Sequence, residues 1–404
     1  MTRGKIKVNK HYQIVIIGGG SAGISTAARL LNEMKSLSGE VAIIDPADKH
    51  YYQPLWTLVG GGVAKKDDTE RDMAELIPDG AIWIQQAAAS FSPEINEVKL
   101  LNGETVSYEY LIVAAGIDLH WDGVEGLKDA IGKEGVCSNY AYQYTDYTWE
   151  VIRTFKGGNA VFTHPDTPIK CGGAPQKIMY LAEDHFTRTG IRDKTKVIFG
   201  SANPAIFDVP KYRETLNKVI ARKKIDTRFH HNLIAIRADK KEAVFENIET
   251  NEQTVISYDM IHVTPPMRAP SFISASPLAS KEGWVNVHPY TLQHQAYENI
   301  FALGDCADLP TSKTGAAIRK QAPVVAKNIL ALIKEEPMQA TYDGYSSCPL
   351  VTGYNSLVLA EFKYGKIPSE SFPINQAKER RSMYIMKKEL LPIMYWDGML
   401  KGIM

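Results

Sequence analysis

Between Tyr12 and Asp45 the chain reads as strand, glycine turn, helix, strand and acid, and few folds accept that order. Tyr12 to Ile17 (YQIVII) is a continuous apolar run, as expected of a strand buried on both faces of a parallel sheet. Gly18, Gly20 and Gly23 follow in G-x-G-x-x-G spacing, with Ser21 and Ala22 inside the turn, and Ile24 to Met34 then reads as a helix. Glu40 to Ile44 is the next strand and ends in Asp45, 45 − 23 = 22 residues after the last glycine. A ribose-binding acid is expected about 20 residues on. Such glycines let the backbone approach a pyrophosphate, and the helix start offers free N–H groups and a positive dipole. The carboxylate then accepts from ribose hydroxyls. The segment predicts a dinucleotide site at Gly18, Gly20, Ser21, Ala22, Gly23 and Asp45.

Later segments choose among dinucleotides. Tyr110 to Gly116 (YLIVAAG) is a short apolar strand ending in small residues. Asn299 to Leu303 (NIFAL) is another, followed by Gly304-Asp305 and a helix over about Ala316 to Lys334. A strand-end glycine and aspartate aimed at a helix start suit FAD: the carboxylate would hold the ribityl chain, and the helix dipole would stabilise charge on the reduced ring. The expected fold class is α/β, with two Rossmann-like dinucleotide-binding domains and a C-terminal amphipathic helical segment at a membrane interface. The expected division is residues 1–120 plus 270–340 for FAD, 121–269 for the second domain, and 341–404 for a quinone and membrane region. In the second domain, Lys196 to Phe207 (KVIFGSANPAIF) stands as the equivalent of a nicotinamide fingerprint. After Gly200 come Ser201, Ala202, Asn203 and Pro204, where the backbone should hug a pyrophosphate. NAD(P)H is therefore not the expected electron donor.

Composition excludes several classes. Lys plus Arg and Asp plus Glu are each 46 in 404 residues, so no general nucleic-acid binder is expected. The longest uncharged stretch, Gly344 to Ala360, is broken by Ser, Thr, Asn, Pro and two glycines and is no membrane span. The basic start, MTRGKIKVNKHYQ, lacks the apolar core of a secretory signal, and an intracellular, reducing compartment is the simplest expectation. The ten histidines show no H-x-x-x-H or H-E-x-x-H pattern, and no metal site is expected.

Four cysteines, with no C-x-x-C among them, point to reactivity and not to a disulfide scaffold. Cys171 lies between Lys170 and Gly172-Gly173, just before a helix that Pro175 can open and that runs to about Arg188. A helix N-terminus with Lys170 and Lys177 nearby favours the thiolate, although Lys177 also fits a solvated helix face. Cys348 reads as part of a loop ahead of a strand, 348 − 171 = 177 residues away. Cys306 reads as a small buried hydrophobe. From Ser382 the tail reads SMYIMKKELLPIMYWDGMLKGIM, two short helical pieces split by Pro392. Met383, Met386, Leu390, Met394, Trp396, Met399 and Leu400 give apolar faces, with Lys387, Lys388 and Lys401 placed to snorkel. That pattern fits an in-plane membrane anchor, or else a helix docked on the core or a dimer partner.

Long motifs then carry a family resemblance: HYYQPLWTLVGGG (His50 to Gly62), TPIKCGGAPQKIMYL (Thr167 to Leu181), ADKKEAVFEN (Ala238 to Asn247), HVTPPM (His262 to Met267), GDCADLPTSKTGAA (Gly304 to Ala317), SSCPLVTGYN (Ser346 to Asn355) and KERRSMYIMKKELLPIMYWDGMLKG (Lys378 to Gly402). The chain closely resembles the sulfide:quinone oxidoreductases, essentially end to end. The resemblance implies FAD, a redox pair of Cys171 and Cys348, and hydrogen sulfide and a membrane quinone as substrates. It implies a small sulfur acceptor (a thiol, sulfite or polysulfide) and attachment to a membrane surface through the C-terminal helices. It also implies that Gln53, Ala88 and Lys313 line the flavin site, beside Gly116, Gly304 and Asp305 from the strand ends read above. Attachment is expected at the cytoplasmic face of a prokaryotic membrane, and a homo-oligomer is compatible. Cys137 as a redox-active or flavin-linked group stays open. A type II NADH:quinone dehydrogenase or another pyridine-nucleotide-disulfide-reductase-like flavoprotein is the alternative, with a second glycine fingerprint or a local cysteine pair as its requirement.

Overall fold

A computed structural model describes residues 11–404, so the first ten residues of the basic start lie outside the described residues. The apolar run His11–Ile17 is a strand, and Ser21–Glu33 is the helix after it. The strand sits inside a seven-stranded sheet, hydrogen-bonded in parallel to Val41–Ile44 on one side and Thr105–Val113 on the other. Its register places Ile17 opposite Ile44 and Val113, while Ala302 of the strand Ile300–Ala302 also faces Val113. Four strands therefore end level. The segments that follow them, at Gly18, Asp45, Ala114–Gly116 and Gly304-Asp305, converge on one carboxyl edge, where open α/β sheets hold their ligands.

A second sheet contains five parallel strands in the order Val136–Cys137, Met260–His262, Gly158–His164, Thr195–Ser201, Asp226–Arg228. Its first crossover runs from Gly158–His164 through the helix Ala174–Arg188 to Thr195–Ser201. This corrects the expected equivalence at Lys196–Phe207. The strand order makes Gly158–His164 the first of the unit, so a nicotinamide fingerprint would stand in the turn after His164. That turn is Pro165 to Gly173, which carries Cys171 and no G-x-G-x-x-G.

Cys348 is not in a loop. It lies within the strand Ser346–Gly353, paired antiparallel with Ser356–Lys363, with Cys348 opposite Ala360. Pro349 hid this strand in the sequence, but Ser346–Gly353 is at the edge of its sheet, where a missing N–H leaves no ladder bond unmade. Asn355, in the left-handed region at φ 64°, turns the hairpin.

The tail is one run of helix and not two pieces. Arg381–Ile385, Met386–Leu390, Leu391–Ile393 and Met394–Met399 follow without a break, and the middle and last turns are wound wider, as π-helix. The wider turns on both sides of Pro392 absorb its missing N–H and ring. The expected apolar face is also corrected. Met383, Trp396, Met399 and Leu400 are buried in the core shared with the helix Ser21–Glu33, and Ile385, Leu390, Ile393 and Ile403 are exposed. The Tyr395 hydroxyl lies 2.6 Å from Ser21 Oγ and 2.5 Å from His50 Nε2, and Asn32 Nδ2 donates to Lys401 O at 2.8 Å. The inner face of the tail is thus part of the wall behind the glycine turn. Among the described residues no helix is long and apolar enough to cross a membrane.

Candidate active site

At the first sheet's edge, the glycines do what their spacing requires. Gly18 has φ 104°, and a Cβ there would lie 2.4 Å from Ala114 O. On Gly23 a Cβ would lie 1.8 Å from Gly18 O, so only glycine lets this helix start close against the strand. Ser21 and Ala22 open that helix, and the carboxylate of Asp45 accepts from Gly19 N at 2.6 Å and Ala47 N at 2.8 Å. Burial raises the Asp45 carboxyl above its usual range, and the two N–H donors oppose that shift.

Gly304 is at φ 75°, its N–H donates to Gln321 Oε1 at 2.8 Å, and a Cβ on it would come within 3.3 Å of the Ala22 side chain. The helix Gly315–Ile333 starts beside it, with the Thr314 side chain accepting from Ala317 N at 3.1 Å. Asp305 is pushed up by burial and held down by Lys313 and Lys170. Lys313 does not reach into open space. Its Nζ donates to Asp305 O at 2.6 Å and Ala307 O at 3.1 Å, and it lies 3.8 Å from the Trp284 ring centre. Gln53 Oε1 accepts from Lys170 Nζ at 2.7 Å, and Ala88 opens the strand that follows Ala81–Ile84. Side chains added at Gly20, Gly116, Gly172 or Gly315 would meet no atom within 4 Å. Backbone at Gly20, Gly116 and Gly315 therefore borders free space along this edge, as close approach of a flavin to the backbone would require.

The cysteine loop meets this edge from the second sheet. Cys171 is held at φ 58°, a region costing a non-glycine residue on the order of 1 kcal/mol or more. Its N–H donates to Lys313 O at 2.8 Å and its carbonyl accepts from Ala174 N at 2.8 Å, so both loop and flavin turn must be in place to hold it. A Cβ on Gly173 would lie 3.6 Å from the Cβ of Cys348, which brings the strand Ser346–Gly353 against the start of the helix Ala174–Arg188. The two thiols, separated by 177 residues of chain, face one another closely enough for Cys348 to donate to a Cys171 thiolate. Both are free thiols here.

That hydrogen bond is the largest influence holding the Cys171 thiol well below its ordinary range. Lys177 and Lys387 add to it, against the cost of burial. Cys348 is displaced upward by the same partnership and by burial. Lys177 is not solvated: it is 3% exposed, with Nζ 3.1 Å from Cys171 Sγ. Lys387 does not snorkel either. It is 2% exposed, its Nζ donates to Pro54 O at 3.0 Å, and burial and the nearby Lys177 bring it down to about 7. Burial likewise lowers Lys170 to about 8.

The sequence reasoning placed Lys387 outside the site, although a signal existed. Lys387 lies four residues after Met383 and three after Tyr384, both of them buried, so at helical spacing the lysine shares their inward face. His50 and Tyr395 had no comparable signal. Cys306 is a core thiol donating to Val113 O at 3.3 Å, pushed up to about 11 by burial. Cys137 is buried among Ile152, Phe162 and Met260, and burial pushes it up to about 12. The described residues contain no cluster of His, Cys, Asp and Glu able to hold a metal ion.

Comparison with known proteins gives the chain's relatives. Residues 12–147 match the family described as pyridine nucleotide-disulphide oxidoreductase. Over 98% of its length the chain is 47% identical to a Dictyostelium discoideum protein named "Sulfide:quinone oxidoreductase, mitochondrial", covering 88% of that protein. A Mus musculus protein of the same name is 44% identical over 97% of the chain and 87% of the relative. The X-ray structure of the sulfide:quinone oxidoreductase from the hyperthermophilic bacterium Aquifex aeolicus superposes with TM-score 0.84 at 22% identity, covering 98% of this chain and 92% of that one, which is a likeness of fold. The first two names place those relatives in mitochondria, and nothing in them supports the expected cytoplasmic face of a prokaryotic membrane.

Proposed function

The chain belongs to the sulfide:quinone oxidoreductases, flavoprotein enzymes that oxidise sulfide and reduce a quinone, and from that premise we propose which of its residues do the work. The flavin is FAD, seated on Gly18, Gly20, Ser21, Ala22, Gly23 and Asp45 at one end. Gln53, Ala88, Gly116, Gly304, Asp305 and Lys313 form the rest of its border. Residues 11–120 with 270–340 make the flavin domain, 121–269 the second domain, and 341–404 the quinone and membrane region. The observation that carries the proposal is the meeting of Cys171 and Cys348 beside Lys177 and Lys387, next to the flavin turn.

The working state is the Cys171–Cys348 disulfide. Hydrosulfide attacks Cys348 Sγ, an S–S bond forms there, and the Cys171–Cys348 bond breaks with its electron pair left on Cys171. Cys348 then carries a persulfide, and Cys171 is a thiolate stabilised by Lys177 and Lys387. A small acceptor (a thiolate, sulfite or polysulfide) takes the outer sulfur and leaves Cys348 as a thiolate. When Cys348 and Cys171 re-form their disulfide an electron pair is released, and FAD held on the glycine turn would supply the two-electron chemistry that carries it to a quinone. Lys387, near neutrality, is able to hold or release a proton as charge on the cysteines changes.

The donor is testable directly. Under anaerobic conditions sodium sulfide should bleach the bound flavin within the mixing time of a stopped-flow instrument, while NADH at the same concentration leaves it oxidised. Bleaching by NADH alone would assign the chain to the dehydrogenase alternative.

We assign membrane attachment to the outer face of the tail, where Ile385, Leu390 and Ile393 are exposed and the nearby Lys388 is paired with Glu389 at 2.7 Å. Each half-exposed side chain entering lipid contributes about 1 kcal/mol, so replacing all three by serine should weaken liposome binding roughly 100-fold. Flavin content should not change, because the inner face is untouched. Unaltered flotation of the triple variant with liposomes would place the anchor elsewhere.

A further inference from the structure

The tail meets the glycine turn through a run of hydrogen bonds whose protons can be placed one by one. Gly19 is gripped at both ends of its backbone: its N–H donates to Asp45 Oδ2 at 2.6 Å, and its carbonyl lies 3.1 Å from His50 Nδ1. A carbonyl only accepts, so Nδ1 carries the hydrogen and Nε2 is left as an acceptor. The Tyr395 hydroxyl therefore donates to Nε2 at 2.5 Å, and the Tyr395 oxygen accepts from Ser21 Oγ at 2.6 Å. Burial lowers His50 to about 4, so the ring is neutral near pH 7 and this order of donors holds. The run Ser21, Tyr395, His50, Gly19 begins and ends in one turn, with the tail residue in its middle.

What these bonds fix is a peptide plane. The Gly19 carbonyl and the Gly20 N–H belong to one trans peptide and point in opposite directions. Holding the carbonyl toward His50 turns the Gly20 N–H the other way, and Gly20 is exposed, with no atom within 4 Å of a Cβ built on it. Two adjoining glycines resist rotation of that peptide very little, so the orientation must come from outside the turn. The partners that supply it are themselves immobilised. His50 is 3% and Tyr395 5% exposed, the Tyr395 ring centre lies 4.4 Å from that of Tyr52, and the neighbouring Trp396 is covered by Arg71 at 5.0 Å.

We propose that Tyr395 and His50 latch the glycine turn from behind, setting the Gly20 N–H for the pyrophosphate of FAD, so that the C-terminal tail retains the cofactor. The latch rests on the FAD reading above and adds two positioning residues to it. Both act through Gly19 and Ser21, at the pyrophosphate end of the site. Their loss should therefore appear in how long the cofactor stays bound and not in the electronic state of its ring. A pair that merely fastened the tail to the core would instead lower stability without a particular effect on FAD.

The test follows FAD leaving the flavin-loaded enzyme, read as the rise of free-flavin fluorescence after dilution. Tyr395→Phe keeps the ring and removes only the hydroxyl, and His50→Leu removes both bonds of the imidazole. Each should speed release about tenfold. His50→Asn, whose amide can still reach the Gly19 carbonyl, should recover part of the loss. Asn32→Ala is the control: it removes another bond to the tail, Asn32 Nδ2 to Lys401 O at 2.8 Å, away from the turn. It should leave release within about twofold of wild type. The absorption spectrum of flavin that stays bound should match wild type in every variant. As a second readout, added FAD should raise the thermal midpoint of Tyr395→Phe by more than that of the already saturated wild type. Unchanged release in Tyr395→Phe and His50→Leu overturns the latch, and so does equal acceleration in Asn32→Ala, because docking of the tail alone would then account for it. A wild type that carries no flavin overturns the FAD reading instead, and that result is distinct from both.

Discussion

Cys171→Ser and Cys348→Ser should each abolish sulfide-driven reduction of the flavin, with steady-state sulfide-dependent quinone reduction falling by ~10³-fold or more while FAD stays bound. Retention follows from geometry: neither cysteine belongs to the turn Gly18–Gly23 or to Asp45, and the contacts of Gly304 run to Gln321 and Ala22. Loss of activity follows from chemistry, since serine can neither form the bridging disulfide nor leave as a stabilised anion. The variants should also differ. Serine at 348 still donates a hydrogen bond to the Cys171 thiolate, whereas alanine does not, and that bond is the largest influence on Cys171. Iodoacetamide should therefore modify Cys171 at near wild-type rate in Cys348→Ser at pH 7 and distinctly more slowly in Cys348→Ala. Full sulfide oxidation by the Cys171→Ser, Cys348→Ser double variant would overturn the mechanism, because no sulfur relay would remain.

Lys387→Met should also lower turnover, by less than loss of either cysteine. The methionine fills the same buried volume without the charge, so the Cys171 thiol rises somewhat, still held down by Cys348 and Lys177, and less of it is thiolate at neutral pH. We expect turnover at pH 7 to fall by a factor of a few up to about tenfold, with partial recovery as the pH is raised and more of the thiol ionises. A purely structural lysine would lower activity without that recovery. Stability gives an independent sign. Lys387 is held at about 7 in the folded protein against 10.5 ordinarily, so over that interval the unfolded chain binds a proton that the native protein refuses. Wild-type stability therefore gains an increment as pH rises from about 7 toward 10, and the cost of burying this amine is largest below 7. Denaturation midpoints of wild type and Lys387→Met, compared across that range, should diverge upward for the wild type. Parallel curves would show that Lys387 does not titrate there.

The tail shows how one element serves two environments. Its outer residues Ile385, Leu390 and Ile393 are exposed, while its inner residues reach the glycine turn through Tyr395 and the cysteines through Lys387. Cutting the chain after Lys378 would therefore remove more than an anchor. It would uncover the helix Ser21–Glu33 and take Lys387 out of the site.

The unit from His11 to Asp45 was legible from sequence because its requirements are local. A strand buried on both faces must be apolar throughout, Gly18 must adopt φ 104°, and no side chain fits at Gly23 against Gly18 O. Such constraints leave a fixed spacing wherever they act, and the same reasoning found Gly304 and the helix after it. Cys171 at a helix start with lysines nearby was local too. The pairing of Cys171 with Cys348 came only from family resemblance, since no periodicity spans 177 residues. Which strand of the second sheet stands first was likewise a property of strand order, and strand order belongs to the assembled sheet. Lys177 and Lys387 differ from surface lysines only in what packs around them: burial and like charge, not residue type, bring Lys387 to about 7. Spacing along the chain determined where the backbone turns tightly at the sheet edge, and tertiary packing decided which thiols meet and how far each nearby amine is kept from water, because dielectric and charge at a buried atom are set by every segment that surrounds it.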